Sequence, residues 1–277
     1  MNNKISEEQK KMLESDSKIG LVVTEDAEGY PHITFISSLQ SLGEDQMTFG
    51  KFSEGLSKKH IAERPEIGFL ALNGDMDFLR GNAVFTHTSV TGEEFDSYNA
   101  KPMFRYNSYF GFSTIYYLDL ETISPLEKLN MSKIVAGAVL TRIAAPMHAK
   151  NQNMALTKIG KGLFSKLDGL KFIAYLDENG KYKIIPVIQA GPAGTDRVAF
   201  SLTPFREEIR KIPAGSKAAV FAVNLNMESV LVKGIYRGIS GLPRIGTLEI
   251  EKVYNSMPPK NEYIYPRKER ITAVTDF

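Results

Sequence analysis

The chain of 277 residues contains no cysteine. This absence excludes disulfides, thiolate zinc sites, a cysteine nucleophile and cysteine-ligated iron–sulfur clusters. It fits a reducing compartment, and we expect a cytoplasmic protein. Histidine is scarce as well, and no metal site is predicted because the four histidines lack the spacing of metal ligands: His32, His60, His87 and His148.

The chain also lacks an excess of charge of one sign, since 34 Lys and Arg residues face 32 Asp and Glu residues. Its basic runs, such as Lys58-Lys59, are short, so we expect no nucleic-acid partner. No apolar run approaches the roughly 20 residues that cross a bilayer, and residues 1–17 are polar. We therefore expect no membrane segment and no secretory signal.

The elements that are present begin with Ser6-Glu7-Glu8-Gln9, a capping-box signature that predicts a short helix ending near residues 15–17. Ser57 is predicted to cap a second helix, which Pro65 ends. β-rich runs bounded by turn residues predict strands at 19–24, 31–37, 45–49, 67–72, 79–87 and 115–120. The first five of these strands, with one helix before the fourth, are typical of a small barrel and not of a βαβ fold.

The second half of the sequence repeats the first at a shift of 151 residues. Identical residues recur at turn and core positions; for example, Asp26, Gly29, Ile33 and Phe49 recur as Asp177, Gly180, Ile184 and Phe200. With two further residues inserted, Arg80-Gly81 aligns with Lys233-Gly234. The repeat indicates a duplicated fold, with units at 1–150 and 151–277, a helix within 125–140 and a linker within 149–169. The alternative is two unrelated β segments that share turn chemistry.

The segment from Phe49 to His60 is the most informative for chemistry. A strand ends there, a glycine-punctuated loop follows, and a helix begins beside Lys58 and Lys59. The start of a helix presents free amides and partial positive charge, and nearby hydroxyl and ammonium groups complete a seat for a phosphate dianion. The same pattern also occurs in helices that bind nothing.

Several short motifs, in their order and spacing, resemble the pyridoxamine-phosphate-oxidase-like family of flavin-binding split barrels. The resemblance covers about residues 18–120 and, more faintly, 170–240, and rests on these segments: Val22-Val23-Thr24, Glu28-Gly29-Tyr30-Pro31-His32, Phe49-Gly50, Ser57-Lys58-Lys59, Pro65-Glu66-Ile67-Gly68 and Arg80-Gly81. It implies a mainly β (α+β) fold of two tandem split β-barrels, with an N-terminal helix and short inserted helices. It also implies FMN at an interface between two barrels.

The resemblance assigns candidate FMN-binding residues along three segments. The isoalloxazine ring and ribityl chain would run along Thr34, Phe35, Ile36 and Ser37, and the ribityl phosphate would lie beside Phe49, Gly50 and Lys51. The phosphate itself would be held by Ser57, Lys58 and Lys59. Phe49 could equally be a core residue, and Thr34 and Ser37 could be plain strand surface.

An aromatic segment at 104–112 could stack on the flavin or gate a substrate, with Arg105 and Tyr109 as its polar members; core or interface packing is the alternative. The chain departs from true pyridoxamine phosphate oxidases, which carry an arginine and a lysine on the flavin-facing strand, because residues 32–39 contain neither. The basic residues that the family uses for pyridoxal phosphate near the carboxyl terminus have no clear match either, and Arg267, Lys268 and Arg270 are the open candidates for them. Oxidation of vitamin B6 is therefore not expected.

In the second unit, the position of Ser57 is taken by Glu208, whose carboxylate would repel a phosphate. We therefore expect the phosphate site in the first unit only. The two units could pair within one chain as a pseudo-dimer, or first units could pair between two chains as a homodimer.

The sequence thus predicts an FMN-binding protein, in the first instance a flavin-dependent oxidoreductase with an unidentified small-molecule substrate or electron donor. The flavin would carry the redox chemistry, and the protein would supply orientation. The alternatives are a non-catalytic electron-transfer module and a haem-binding split barrel.

Overall fold

A computed structural model describes residues 2–15, 17–51, 55–101, 111–166, 168–224, 226, 228–256 and 261–266. The first half contains α1 Glu7–Glu14, β1 Lys18–Glu25, β2 Pro31–Phe35, β3 Gln40–Leu42, β4 Gln46–Lys51, α2 Leu56–Glu63, β5 Glu66–Asn73, β6 Asp77–Ser89, α3 Glu93–Ala100, β7 Thr114–Ile123 and β8 Glu127–Lys128. The connection contains α4 Met131–Ala144, a 3₁₀ turn Ala145–His148 and α5 Lys158–Ser165. The second half contains β9 Leu170–Leu176, β10 Tyr182–Pro186, β11 Gly191–Pro192, β12 Arg197–Ser201, α6 Arg206–Arg210, β13 Lys217–Val223, β14 Ser229–Ser240, β15 Ile245–Asn255 and β16 Glu262–Tyr265.

The N-terminal helix forms as its capping box predicts. The Ser6 hydroxyl accepts from the Gln9 amide at 3.4 Å, and the Gln9 side chain accepts from the Ser6 amide at 2.7 Å. The Gln9 amide group also donates to the Ser124 carbonyl at 2.8 Å. These bonds fix the start of α1 to the first barrel, where Met12 and Leu13 join the core.

Both halves have the same sheet topology. The first sheet runs β2-β1-β5-β6-β7-β4-β3 and the second runs β10-β9-β13-β14-β15-β12-β11, with antiparallel pairing between neighbours. Each sheet curls around a hydrophobic core of its own, one built around Phe49 and Ile61 and the other around Phe200 and Ile209. The predicted fold class, two tandem split β-barrels, is confirmed.

The strand register corrects the alignment of Arg80-Gly81 with Lys233-Gly234, because it equates Gly81 with Val232 and Gly234 with Ala83. A Cβ atom added to Gly81 would fall 1.9 Å from the Thr122 carbonyl oxygen, and one added to Gly234 would fall 1.8 Å from that of Glu249. Gly234 lies at the register shift of the β14–β15 pair, whereas the shift of the β6–β7 pair lies between Asn82 and Ala83. The closely approaching backbone requires glycine at each of these points, but the two points are not equivalent, so the predicted two-residue insertion is wrong.

The copies pack against each other as a pseudo-dimer within one chain. Strand β2 contacts β13 and β14, while its counterpart β10 contacts β5 and β6, so the contacts exchange as a two-fold axis requires. A third hydrophobic core lies between the copies and contains side chains of both, including Ile33, Leu70, Ile184 and Phe221.

The helix of the connection, α4, packs on β12 of the second copy although it lies within residues 1–150. The predicted boundary at residue 150 therefore stays a prediction. In the part of the chain that the structure describes, no helix is long and apolar enough to cross a membrane.

Candidate functional site

Helix α2 begins two residues earlier than the sequence predicted. Its N-cap is Gly55, in an extended conformation with no side-chain cap bond, and Ser57 is the second helical residue. The prediction that Ser57 caps the helix rested on the preference of N-cap positions for serine. It was wrong because the packing of the helix decided where the helix begins. The earlier start turns Ser57, His60 and Ile61 inward, where all three are buried.

Three buried polar atoms on α2 and β2 have no hydrogen-bond partner within the described residues: His32 Nδ1, Thr34 Oγ1 and Ser57 Oγ. His32 and Thr34 are two residues apart on β2 and therefore share a face. This face meets α2, since the His32 and His60 rings contact edge to face at 5.0 Å. A buried polar group without a partner costs about 1–3 kcal/mol, so such atoms on two contacting elements are typical of a site that receives a ligand or water.

The two histidines of this face are neutral. Burial lowers the pKa of His32 well below its ordinary value, and the charge of Lys233 and the nearby His60 and Lys58 lower it further. Burial also lowers the pKa of His60, whose Nδ1 lies 3.1 Å from the Thr24 hydroxyl. Neither His32 nor His60 therefore contributes positive charge to the face between β2 and α2.

The second copy contributes a lysine to this region. Lys233 is fully buried, and its ammonium donates to Asp26 Oδ2 at 2.8 Å and to the Tyr263 hydroxyl at 3.0 Å. Burial lowers the pKa of Lys233 to about 8, against the opposing effect of Asp26. An ammonium group has three N–H donors, and these two bonds use two of them.

Asp26 is held in its ionised form. Its Oδ1 accepts from the amides of Glu28 and Tyr30 at 3.0 and 2.9 Å. Burial raises the pKa of Asp26, but the bonds from Lys233 and from these amides outweigh burial, and the pKa is lowered. The pair thus stays charged at neutral pH and joins the two copies beside α2.

We call the combined set the α2 site: His32, Thr34, Gly55, Ser57, Lys58 and Lys233. It joins the positive end of a helix, two unpartnered hydroxyls and two lysines, a combination that attracts an anion.

The equivalent position in the second copy already holds an anion. Glu208, which aligns with Ser57, pairs with Arg80 of the first copy at 2.6 Å and accepts a second bond from it at 3.0 Å. Arg80 also donates to the Ile184 carbonyl at 2.6 Å and pairs with Glu127 at 3.0 Å. The Glu208 carboxylate of the second copy therefore neutralises the Arg80 guanidinium, which extends from the first copy.

The rest of the equivalent surface in the second copy is covered by α4. A Cβ atom on Gly137 would fall 2.7 Å from both the Ser201 hydroxyl and the Thr203 carbonyl oxygen. The Ser201 amide donates to the Thr141 hydroxyl at 2.8 Å. Ser201 aligns with Gly50 of the first copy, so the connection occupies the place that a ligand lying along β12 would need.

In the first copy, the surface at Gly50 is also covered, by aromatic side chains. A Cβ atom on Gly50 would fall 2.3 Å from the Phe112 ring. The Tyr98 hydroxyl lies 2.8 Å from Thr48 Oγ1 and donates to the Ser38 carbonyl at 2.8 Å. A flavin ring laid directly over Gly50 does not fit this arrangement, whereas the α2 site lies outside it.

The structure divides the predicted site residues into two groups. Four are buried, and of these Phe49 stacks on Tyr116 with ring centroids 4.8 Å apart in the first barrel core. The other three buried residues are Ile36, Gly50 and Ser57. Six are at least partly exposed: Thr34, Phe35, Ser37, Lys51, Lys58 and Lys59. Arg105 and Tyr109 lie outside the described residues, and the ligand roles of all twelve stay predictions.

Sequence reasoning missed the residues that the second copy brings to α2. Lys233 and Tyr263 lie more than 200 residues from Asp26 in the chain. The repeat carried no signal for this lysine, because the strand register equates Lys233 with Asn82 and not with Arg80, as the sequence alignment had predicted.

No protein-family model matches the sequence, and no curated protein matches it. Solved structures similar to the chain include an FMN-binding protein from Syntrophomonas wolfei, at 20% identity and a TM-score of 0.37, covering 44% of this chain and 85% of that one. A putative pyridoxamine 5'-phosphate oxidase from Lactobacillus delbrueckii is similar at 17% identity and a TM-score of 0.36, covering 45% and 96%. The heme storage protein HutZ from Vibrio cholerae is similar at 12% identity and a TM-score of 0.35, covering 45% and 96%.

These similarities concern the fold. The resemblance to pyridoxamine-phosphate-oxidase-like split barrels that the sequence predicted is confirmed at that level, by the strand order of both copies.

Proposed function

We propose that the chain binds one FMN at the α2 site, with the phosphate at the start of the helix. The observation that carries the proposal is the difference between the copies. Where the second copy has a carboxylate paired with Arg80, the first has a buried, unpartnered Ser57 hydroxyl, next to Lys58 in the chain and on the same helix as His60, whose pKa the charge of Lys233 lowers.

The residues of the α2 site fit a phosphate. The Ser57 hydroxyl would donate to a phosphate oxygen, the Ser57 amide would point at it, and Lys58 would supply charge from the solvent side. The Leu56 amide bonds to the Tyr254 hydroxyl and the Lys58 amide to the Gly55 carbonyl, so neither of these is open to the phosphate. The third N–H of Lys233 would lie on the side of the second copy. The unpartnered Thr34 hydroxyl would bond further along the ligand, toward Ser37.

Aromatic residues of the second copy would shield the ligand from water. Tyr254 contacts the His32 ring at a centroid distance of 4.9 Å, and Tyr263 contacts Tyr254 at 5.2 Å. Because Phe112 and Tyr98 cover Gly50, the isoalloxazine ring would lie over β2, beside Thr34 and Phe35, and not over β4.

When bound, FMN supplies hydride or single-electron transfer, and we propose that the protein is an oxidoreductase that uses it. The chain's own contribution would be to hold the phosphate, orient the ring and exclude water. The substrate is a small molecule or an electron donor that reaches the exposed edge of the ring.

A titration of the purified protein tests the proposal. FMN should bind at one equivalent per chain, and riboflavin, which lacks the phosphate, should bind about 100-fold more weakly because it leaves the seat at α2 empty. Equal affinity for the two flavins, or two equivalents of FMN per chain, would contradict it. An absorption spectrum with a Soret band would favour haem, which the unpartnered nitrogen of the neutral His32 makes the second candidate.

A further inference from the structure

Helix α4 is apolar on both of its faces. One face packs on the second copy and buries Ile134, Gly137, Ala138, Thr141 and Ala144. The opposite face exposes large apolar side chains, which continue into the 3₁₀ turn: Met131 by 44%, Val135 by 52%, Val139 by 54%, Leu140 by 38%, Ile143 by 61% and Met147 by 65%. We call this exposed row the α4 stripe.

The α4 stripe is large for a monomeric protein. At these exposed fractions its side chains present on the order of 500 Å² of apolar surface, in the range of the largest patches on monomers, which are often interaction sites. A standard interface buries about 800 Å² on each partner, so the stripe would supply most of one.

The spacing of the stripe fits a second copy of the same helix. Residues 131, 135, 139, 143 and 147 are four apart and form one ridge. Ridges of this kind from two helices pack side by side at a crossing angle of about −50°. In an antiparallel pair centred on Val139, this residue meets itself, and Val135 of each chain meets Ile143 of the other.

The charges of the helix agree with this pairing. Lys133 and Arg142 are the only charged residues of α4. In the antiparallel pair they fall opposite Ala145 and Ala136, so no like charges meet. A helix that lies on a membrane surface has a strongly charged face opposite its apolar one, whereas the opposite face of α4 is apolar and packed on protein.

We propose that a second copy of this chain docks on the α4 stripe, giving a two-fold dimer of pseudo-dimers. The proposal goes beyond flavin binding, because it concerns a surface formed by the connection and not by the residues of the α2 site.

Cross-linking tests the two-fold axis directly, because the chain has no cysteine of its own. In Val139→Cys the introduced thiols would face each other, and mild oxidation should convert most of the protein to a disulfide-linked dimer. Val90→Cys is the matched control, since Val90 is 60% exposed and lies outside the connection. Cross-linking of Val139→Cys no greater than that of the control would overturn the proposal.

Sedimentation of the full chain tests the mass of the proposed dimer and the register of its two α4 helices. The unmodified protein should have twice the 30.9 kDa of one chain, and Val139→Asp should raise the dissociation constant of the dimer at least tenfold while leaving FMN binding unchanged. Val135→Lys and Ile143→Glu should each weaken the dimer, and the double variant should restore it because the new charges would pair between chains. A monomeric protein, or a monomer that binds anionic lipid vesicles through the stripe, would overturn the proposal without affecting the flavin assignment.

Discussion

The two copies of the barrel share a strand order and differ at the helix that follows the loop after β4 or β12. In the first copy, Ser57 has a hydroxyl without a partner, on the same helix as His60, whose pKa is lowered by the charge of Lys233 from the second copy. In the second copy, Glu208 neutralises Arg80 of the first. One backbone arrangement is therefore open to an external anion in one copy and closed by an internal anion in the other.

We call the second copy closed and the first copy open. The closed copy shows which groups are absent from the corresponding surface of the open copy. The carboxylate of Glu208 and the cover formed by α4 together fill the surface that corresponds to the α2 site and its surroundings. Duplication therefore permits one copy to become structural, while the other retains a site for a ligand.

The largest effect is expected from breaking the closed copy. Arg80→Met would leave Glu127 and Glu208 without their cation and the Ile184 carbonyl without a donor. Removing one partner of a mostly buried ion pair costs about 3 kcal/mol, so the free energy of unfolding in urea should fall by that amount.

The control for Arg80 is Lys4→Met, which removes a fully exposed ion pair with Glu44 and should leave the free energy of unfolding unchanged. A loss below about 1 kcal/mol in Arg80→Met would show that the pair across the copies contributes little.

The second effect comes from making the open copy resemble the closed one. Ser57→Glu would place a carboxylate at the start of α2, as Glu208 does in α6, and FMN should bind about 100-fold more weakly, or not at all, by calorimetry. Ser57→Ala removes the hydroxyl without adding charge and should cost less than tenfold. Unchanged affinity in Ser57→Glu would place the phosphate elsewhere.

The third prediction concerns the lysine that reaches from the second copy. The pKa of Lys233 is near 8, so its ammonium is present below that pH and is lost above it. FMN affinity should therefore decline as the pH rises above about 8, and Lys233→Met should bind about tenfold more weakly at pH 7 without this decline.

Lys171 is a matched control for Lys233. It is also fully buried with a pKa of about 8, but it donates to backbone carbonyls, among them that of Ile188 at 3.1 Å. Lys171→Met should lower stability and leave the pH profile of FMN binding as it was. A profile that is the same in Lys233→Met as in the unmodified protein would remove Lys233 from the site.

The smallest effect tests the cover on the closed copy. Gly137→Ala would place a methyl group 2.7 Å from Ser201 and Thr203 and should destabilise the protein by about 1–2 kcal/mol in urea. Gly162→Ala in α5 meets no atom within 4 Å and should be neutral or slightly stabilising. If both variants behave alike, α4 does not pack tightly on β12.

Much of the fold could be predicted because its strands are short β-rich runs between turn residues. Gly29 and Gly180 both have positive φ in the turn that follows the first strand of their copy. Strand β3 was missed, since Gln40–Leu42 has only three residues and no alternation. The position of α4 on the second copy could not be predicted, because both faces of that helix are apolar.

The site was less predictable than the fold. Local sequence indicated the start of α2 and its lysines, but the distance between Asp26 and Lys233 depends on how two copies pack over 207 residues of chain. Propensity also favoured Ser57 as the cap, whereas Gly55 takes that position and Ser57 is buried.

The bonds from Arg80 and Lys233 across the copies have a consequence for dilute solution. In a site shared by two separate chains, dilution below the dissociation constant of the dimer separates the contributing halves. Here the connection of 131–165 tethers the halves, and such tethers maintain local concentrations on the order of millimolar. Occupancy of the α2 site should then depend on the concentration of ligand alone, down to the lowest amounts of protein in the cell.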